Sequence, residues 1–248
     1  MGYTDIKAII FDYGGTLDTG GVHWSDVIYG AWRSAGLDIS REDFNDAYVA
    51  AAERRLGRGD IIGPGFTFTD TLDVKIALQF DRLASRGLLP DGADSLAAEI
   101  TGICHSIALN HINRAAPLLR RLAGRFPLAL VSNFYGNLTA VLRDFGIRDC
   151  FRSVIESAVI GIRKPDSRLF TIAASALGVS AADCLVVGDS LDKDIIPAAA
   201  VGCKTALLTA TDIERRKNQA TAYQTFGSLE EITEAALSSV NTKNANSN

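Results

Sequence analysis

Short apolar runs bounded by turn signals alternate along the chain with stretches whose apolar residues recur at helical spacing. The runs are Lys7–Phe11, Leu128–Val131, Ser153–Ile155, Cys184–Val187 and Lys204–Leu208. They are continuously apolar, as strands buried on both faces are, and predict a parallel sheet covered by helices. Helices are predicted over Gly136–Phe145 and Arg168–Leu177 and around Ile195–Ala200. Each ends near a glycine (Gly146, Gly178, Gly202), the residue that most readily closes a helix in the left-handed conformation.

One region breaks this rhythm. From about Gly20 to Asn113 there are four helical patterns and no strand: Trp24–Ala35, Arg41–Leu56, Thr69–Arg86 and Asp91–His111. Ser40 is placed to cap the second and Gly36 to close the first, while Pro64 and Gly65 divide the four into two pairs. The expected organisation is an α/β core made of residues 1–19 and 114–240, an inserted all-helical subdomain over 20–113, and a frayed polar tail over 241–248.

The chain has 248 residues, 47% hydrophobic and 22% charged, enough to bury a full core. A net charge of -4 and the lack of a basic stripe argue against nucleic acid as a partner, so an anionic substrate must meet local positive charge. Met1 to Lys7 has no leader pattern and no segment reaches the roughly 18 apolar residues of a membrane span, so a cytoplasmic location is expected. Cys104, Cys150, Cys184 and Cys203 lack metal-site spacing; Cys184 and Cys203, beside strand runs, are read as buried reduced thiols.

Four signals for chemistry follow four of the predicted strands, and the C-terminal ends of parallel strands share one rim where ligands bind. The first is Asp12-Tyr13-Gly14-Gly15-Thr16-Leu17, a carboxylate ahead of two glycines that let backbone approach an anion. The second, Ser132-Asn133, offers a hydroxyl and an amide suited to phosphoryl oxygens. The third, Gly161-Ile162-Arg163-Lys164-Pro165-Asp166, presents Lys164 as a point charge. The fourth, Gly188-Asp189-Ser190 followed by Asp194, supplies two carboxylates about one helical turn apart, able to hold a hard cation. Each alone also reads as ordinary turn or helix-entry chemistry. Four in this order do not.

Asp12, Ser132, Lys164-Pro165 and Gly188-Asp189-Ser190 with Asp194 resemble the four motifs of the haloacid dehalogenase superfamily, and Ser157, Gly161, Lys164-Pro165-Asp166 and Phe170 match a specific stretch of its pattern. The resemblance extends from about Ile6 to Leu208 and implies a Rossmann-like core. The long interval between Asp12 and Ser132, against the short one between Ser132 and Lys164, resembles members with a helical cap after the first motif. It implies that Asp12 attacks phosphorus and forms an acyl-phosphate. Asp12, the Gly14 carbonyl and Asp189 would hold Mg²⁺, and Gly15, Thr16, Ser132, Asn133 and Lys164 would bind the phosphate. Asp194 would orient Lys164 or a metal-bound water. The implied substrate is a small phosphorylated molecule; oligomeric state is not legible.

The chain departs from the pattern at Gly14, where most phosphatases of the superfamily carry a second Asp that protonates the leaving group. Such a group contributes roughly 10²–10⁴ in rate. Three readings follow: substrates whose leaving groups need little protonation, a substitute such as Asp18 or His23, or a weakly catalytic or non-catalytic binding protein on the same fold. Phosphonate-cleaving relatives also lack the second Asp but need a cap lysine. Lys75 is the only lysine between Gly20 and Asn113 and reads as a solvated helical charge. The aromatics Trp24, Tyr29, Trp32, Phe66 and Phe68 are expected mostly to pack the interior of the helical region.

Overall fold

The computed structural model describes residues 3, 5–58, 60–90, 92–210 and 223–245. Its sheet contains β1 (Ala8–Phe11), β2 (Leu128–Ser132), β3 (Ser153–Glu156), β4 (Cys184–Gly188), β5 (Lys204–Leu208) and β6 (Gln224–Phe226). All pair in parallel, in the order β3-β2-β1-β4-β5-β6. The first five lie where the apolar runs predict them. The sixth escapes that reading because a short, partly exposed Gln-Thr-Phe edge strand makes no apolar run.

Alternate residues of each strand feed opposite faces, which is why the runs are apolar throughout. Ile9, Phe11, Leu128, Leu130, Leu185 and Val187 join one core cluster. Ala8, Ile10, Ala129, Val131, Cys184 and Val186 join the other, beneath Leu169, Phe170 and Ala173. All four cysteines are free and buried.

The helical region comprises α1 (Trp24–Ser34), α2 (Arg41–Asn45), α3 (Arg54–Leu56), α4 (Phe68–Ala84) and the start of α5 (Asp94–Ala123), with a π-helical segment, Asp46–Glu53, joining α2 to α3. Ser40 caps α2 as expected, accepting from the Asp43 amide. Thr67 and Asp70 form a reciprocal capping box at the start of α4. Fully buried Trp32 stands edge-on to Phe44 and Phe80, with centroids 4.8 and 6.0 Å away, so part of the aromatic set does fill this interior.

α5 is longer than the pattern Asp91–His111 predicts. It continues well past His111, through Pro117, because Ala115, Ala116, Leu119 and Leu122 extend its buried face. The anticipated junction between residues 113 and 114 therefore falls inside one helix. Among the described residues the remaining α-helices are α6 (Leu138–Asp144), α7 (Ser157–Ile160), α8 (Arg168–Leu177), α9 (Ile196–Ala200), which a π-helical segment Leu191–Ile195 leads into, and α10 (Leu229–Ala245). α10 carries helix through Asn241–Ala245, the first part of the stretch expected to fray; 246–248 lie outside the described residues.

Candidate active site

Register places the reactive positions together. Phe11 pairs with Leu130 on one side and with Val187 on the other, so β1, β2 and β4 end at one level. The Asp12 amide still donates to the Val187 carbonyl at 2.9 Å, which carries that alignment one residue beyond the strand. Asp12, Ser132, Lys164, Asp189 and Asp194 consequently line one open cleft, together with Gly14, Asp18, Asn133 and side chains from the helical region.

Lys164 is the centre of the charge arrangement. Its Nζ donates to Asp12 Oδ1 at 2.5 Å and to Asp194 Oδ1 at 2.6 Å, with all three side chains almost fully buried. Burial alone would lower the lysine pKa; Asp12 and Asp194 outweigh it and hold the group above its ordinary value. Asp194 is fixed on its other oxygen by the Ser190 amide at 3.1 Å. Burial raises Asp194 to about 6, against the pull of Lys164. A Cβ at Gly188 would strike the Asp194 side chain, so the strand must end in glycine for the carboxylate to lie this close.

The side chain of Asn133, expected among the phosphate ligands, bonds to the main chain of Lys164. Its Nδ2 donates to the Lys164 carbonyl at 3.1 Å, and its Oδ1 accepts from the Lys164 amide at 2.9 Å. Both ends of the amide hold the main chain that presents Lys164. Gly15 and Thr16 are likewise committed within the loop. The Gly15 amide donates to Asp18 Oδ1 at 2.8 Å, and the Thr16 amide to the Tyr13 carbonyl at 3.2 Å. Thr16 Oγ1 lies 3.1 Å from Asp12 Oδ2 and 3.1 Å from Asp189 Oδ1.

That last pair of distances bears on a metal. A hydroxyl has one proton and can serve only one of two ionised carboxylates. Asp12, Asp189 and Asp194 bring ligand atoms within 4.8 Å of one another. Burial, then Asp12 and Asp194, push Asp189 well above the usual carboxylate range. Three clustered carboxylates facing one ammonium leave negative charge unmatched, and an oxygen-rich donor set of this kind fits a hard divalent cation.

Gly14 sits beside Trp24 and Asp18. Asp18 is 1% exposed; besides the Gly15 amide it accepts from Trp24 Nε1 at 2.9 Å. Burial raises it to about 7 in spite of those two donors. His23, the other substitute considered, also lines the cleft, with Nδ1 accepting from the Ser25 amide at the start of α1. Trp24 and Phe68 line the cleft as well, unlike Trp32. Lys75 corrects the sequence reading most sharply. It is 7% exposed and lines the cleft, because its position on α4 faces inward among Leu72, Ile76 and Gln79 rather than toward solvent. Tyr48 and Tyr135, which border it, carried no sequence signal beyond aromatic character.

A family model described as haloacid dehalogenase-like hydrolase matches residues 6–202. The chain is 30% identical over 180 residues to the ribulose-1,5-bisphosphate 5-phosphatase of Halopiger xanaduensis, covering 71% of this chain and 72% of that protein. It is 29% identical over 120 residues to the pyrimidine 5'-nucleotidase YjjG of Escherichia coli (48% of this chain, 53% of the other). It is 43% identical over 60 residues to the glyceraldehyde 3-phosphate phosphatase of Methanopyrus kandleri (24% and 26%). These two matches span about half and about a quarter of the relatives' lengths. Among solved structures, the HAD-hydrolase YfnB from Bacillus subtilis bound to magnesium shares the fold at TM-score 0.56 and 20% identity, covering 93% of this chain and 98% of that one. The L-2-haloacid dehalogenase from Xanthobacter autotrophicus does so at TM-score 0.55 and 19% identity, covering 92% and 97%. With motifs, fold and family model in agreement over most of its length, this chain belongs to the haloacid dehalogenase-like hydrolases.

Proposed function

We propose that the chain is a Mg²⁺-dependent phosphohydrolase of small phosphorylated metabolites, acting through an aspartyl-phosphate on Asp12. The observation that carries this reading is the buried Asp12–Lys164–Asp194 arrangement at the sheet rim, with Asp189 beside it, lining one open cleft. The phosphatases among the relatives support it.

Asp12, the Gly14 carbonyl and Asp189 are the residues that would hold Mg²⁺; when bound, the ion supplies positive charge against the phosphoryl oxygens. The chain's own groups do the rest. Asp12 attacks phosphorus, forming a carboxyl–phosphate bond as the bond to the leaving oxygen breaks. Lys164 and Ser132 meet the oxygens on which charge develops, and Asp194 positions Lys164. Water then cleaves the acyl-phosphate, releasing phosphate and restoring the Asp12 carboxylate. Residues 1–19 and 114–240 would form the catalytic core and 20–113 the cap, with α5 shared between them.

Gly14 leaves the leaving group without the usual proton donor. The preferred substrates are therefore those that depart as weak bases, such as acyl or anomeric phosphates. After chelation, added Mg²⁺ is expected to restore hydrolysis of nitrophenyl and acyl phosphates and to raise the melting temperature, with Ca²⁺ a poor replacement. Asp12→Asn should abolish turnover while leaving the fold intact; undiminished turnover by a clean preparation would remove Asp12 as nucleophile. Rates in single-turnover transfer should fall steeply with leaving-group basicity. A flat series would instead mean that a carboxyl already in the cleft supplies the proton, Asp18 lying nearest to Gly14. Mg²⁺ binding without turnover of any phosphate would favour the binding-protein reading.

A further inference from the structure

Lys75 is buried to 7% exposure and lines the cleft. Lys75 lies on α4, in the helical region, whereas the reactive carboxylates sit at the sheet rim. Its Nζ is 3.4 Å from the hydroxyl of Tyr48 and 3.4 Å from that of Tyr135. The centroids of the same two rings lie 4.6 and 5.8 Å away. Aromatic faces attract an ammonium, so the two rings form a setting that suits a lysine meeting an anion in the cleft. Each phenol can also turn its O–H outward and donate to an anion while its oxygen faces the ammonium.

Lys164 cannot do this task. Two carboxylates already share its charge, and under the proposed function it serves the transferred phosphoryl group. Beside Lys164 and Lys193, the cleft therefore carries Lys75, which comes from α4 and is flanked by two hydroxyls. We infer that Lys75, with Tyr48 and Tyr135, is a binding subsite for a second anionic group, so that the substrate is a phosphate ester or acyl phosphate bearing a carboxylate or another phosphate at its far end. This rests on the phosphohydrolase reading for the near end only.

Calorimetric titration in Mg²⁺ tests it without turnover. The ligands are alkylphosphonates, phosphonocarboxylates and bisphosphonates of matched chain length. At one length a second anionic end should tighten binding by about tenfold or more, because the charge pair forms away from bulk water. Lys75→Met should erase that advantage; if it does not fold, Lys75→Gln serves the same purpose. A carboxylate or a second phosphonate giving the larger gain identifies the group, and either supports the subsite. Equal affinity of single- and double-ended ligands at every length would overturn it, as would an unchanged advantage in the lysine variants. Borohydride trapping of an aldehyde-ended phosphonate on Lys75 would also overturn it, since the side chain would then work as an uncharged amine. Binding of no phosphonate at all would remove the phosphohydrolase reading as well, whereas equal binding removes this inference alone.

Discussion

A side chain at Gly14 would begin 3.7 Å from Trp24 Cδ1 and 4.0 Å from Asp18 Oδ2, ordinary contact distances. It is neighbouring Gly15, at φ 97° and packed against Asp189, that requires glycine. Gly14→Asp should therefore fold, and should raise alkyl phosphate hydrolysis by at least about tenfold, part of the range a positioned acid supplies. Nitrophenyl phosphate, with a weakly basic leaving group, should gain less. Parallel rate measurements decide it, and equal gains would show that proton donation is not what Gly14 lacks. Asp18 has its own consequence for stability. Its folded value of about 7 lies above the ordinary 3.8, so the native state favours the protonated carboxyl. Its contribution is whole below about pH 4 and is lost as pH rises through 7, by roughly 4 kcal/mol at most. Asp18→Asn should flatten that decline in denaturant midpoints between pH 5 and 8, measured with chelator present. That Asp12 and Asp189 would meet in one cleft was legible because each follows a strand, and strand ends fix where a side chain goes; Lys164 reaches the same cleft from the loop after α7, held there by Asn133. Lys75 was not legible, because a lysine on a helix gives no sign of which face its neighbours will bury.

Strands proved easier to read than helix boundaries for a physical reason. A strand covered on both faces must be apolar at every position, and β1, β2 and β4 are buried throughout. A helix needs only one apolar stripe, so nothing local marks where α5 crosses from the helical region into the core. The same limit hid Glu156. It ends β3 nearly buried at 4% exposure, and its carboxylate accepts from the Gly136 amide and, at 3.3 and 3.2 Å, from the Leu138 amide. A residue from one strand end thus satisfies the free amides that open α6, whose N-cap Asn137 makes no side-chain cap of its own. Ser157 adds a second tie, its Oγ accepting from the Phe134 amide at 3.2 Å. Ser157 therefore braces the loop after β2. Glu156→Ala leaves buried amides without acceptors and should cost about 1–3 kcal/mol. The readout is a lower denaturant midpoint with an unchanged slope. Loss below about 0.5 kcal/mol would mean that water replaces the carboxylate at this helix start.

At the scale of the whole molecule, the helical region and the sheet meet over the cleft, and one buried side chain joins them. Asn137, 1% exposed, donates through Nδ2 to the Phe66 carbonyl at 2.9 Å and to Thr71 Oγ1 at 2.7 Å. Thr71 in turn donates to the Thr67 carbonyl at 2.8 Å, so the start of α4 is tied to the start of α6. Thr71 and Lys75 stand four residues apart on α4, hence on one face, and both line the cleft. Asn137 accordingly holds in register the helix face that carries Lys75. Asn137→Ala removes both bonds and should lower stability by about 1–3 kcal/mol. Its more telling effect is local: amide exchange along α4 should accelerate, while β1 and β2, buried on both faces, should keep their protection apart from the global loss. Kinetically, KM should rise more than kcat falls, because Asp12 and Lys164 are held by sheet register and by Asn133 rather than by the Asn137 side chain's bonds to Phe66 and Thr71. A drop in kcat at unchanged KM would mean that the α4 contact shapes the reacting centre itself rather than the wall that receives the substrate.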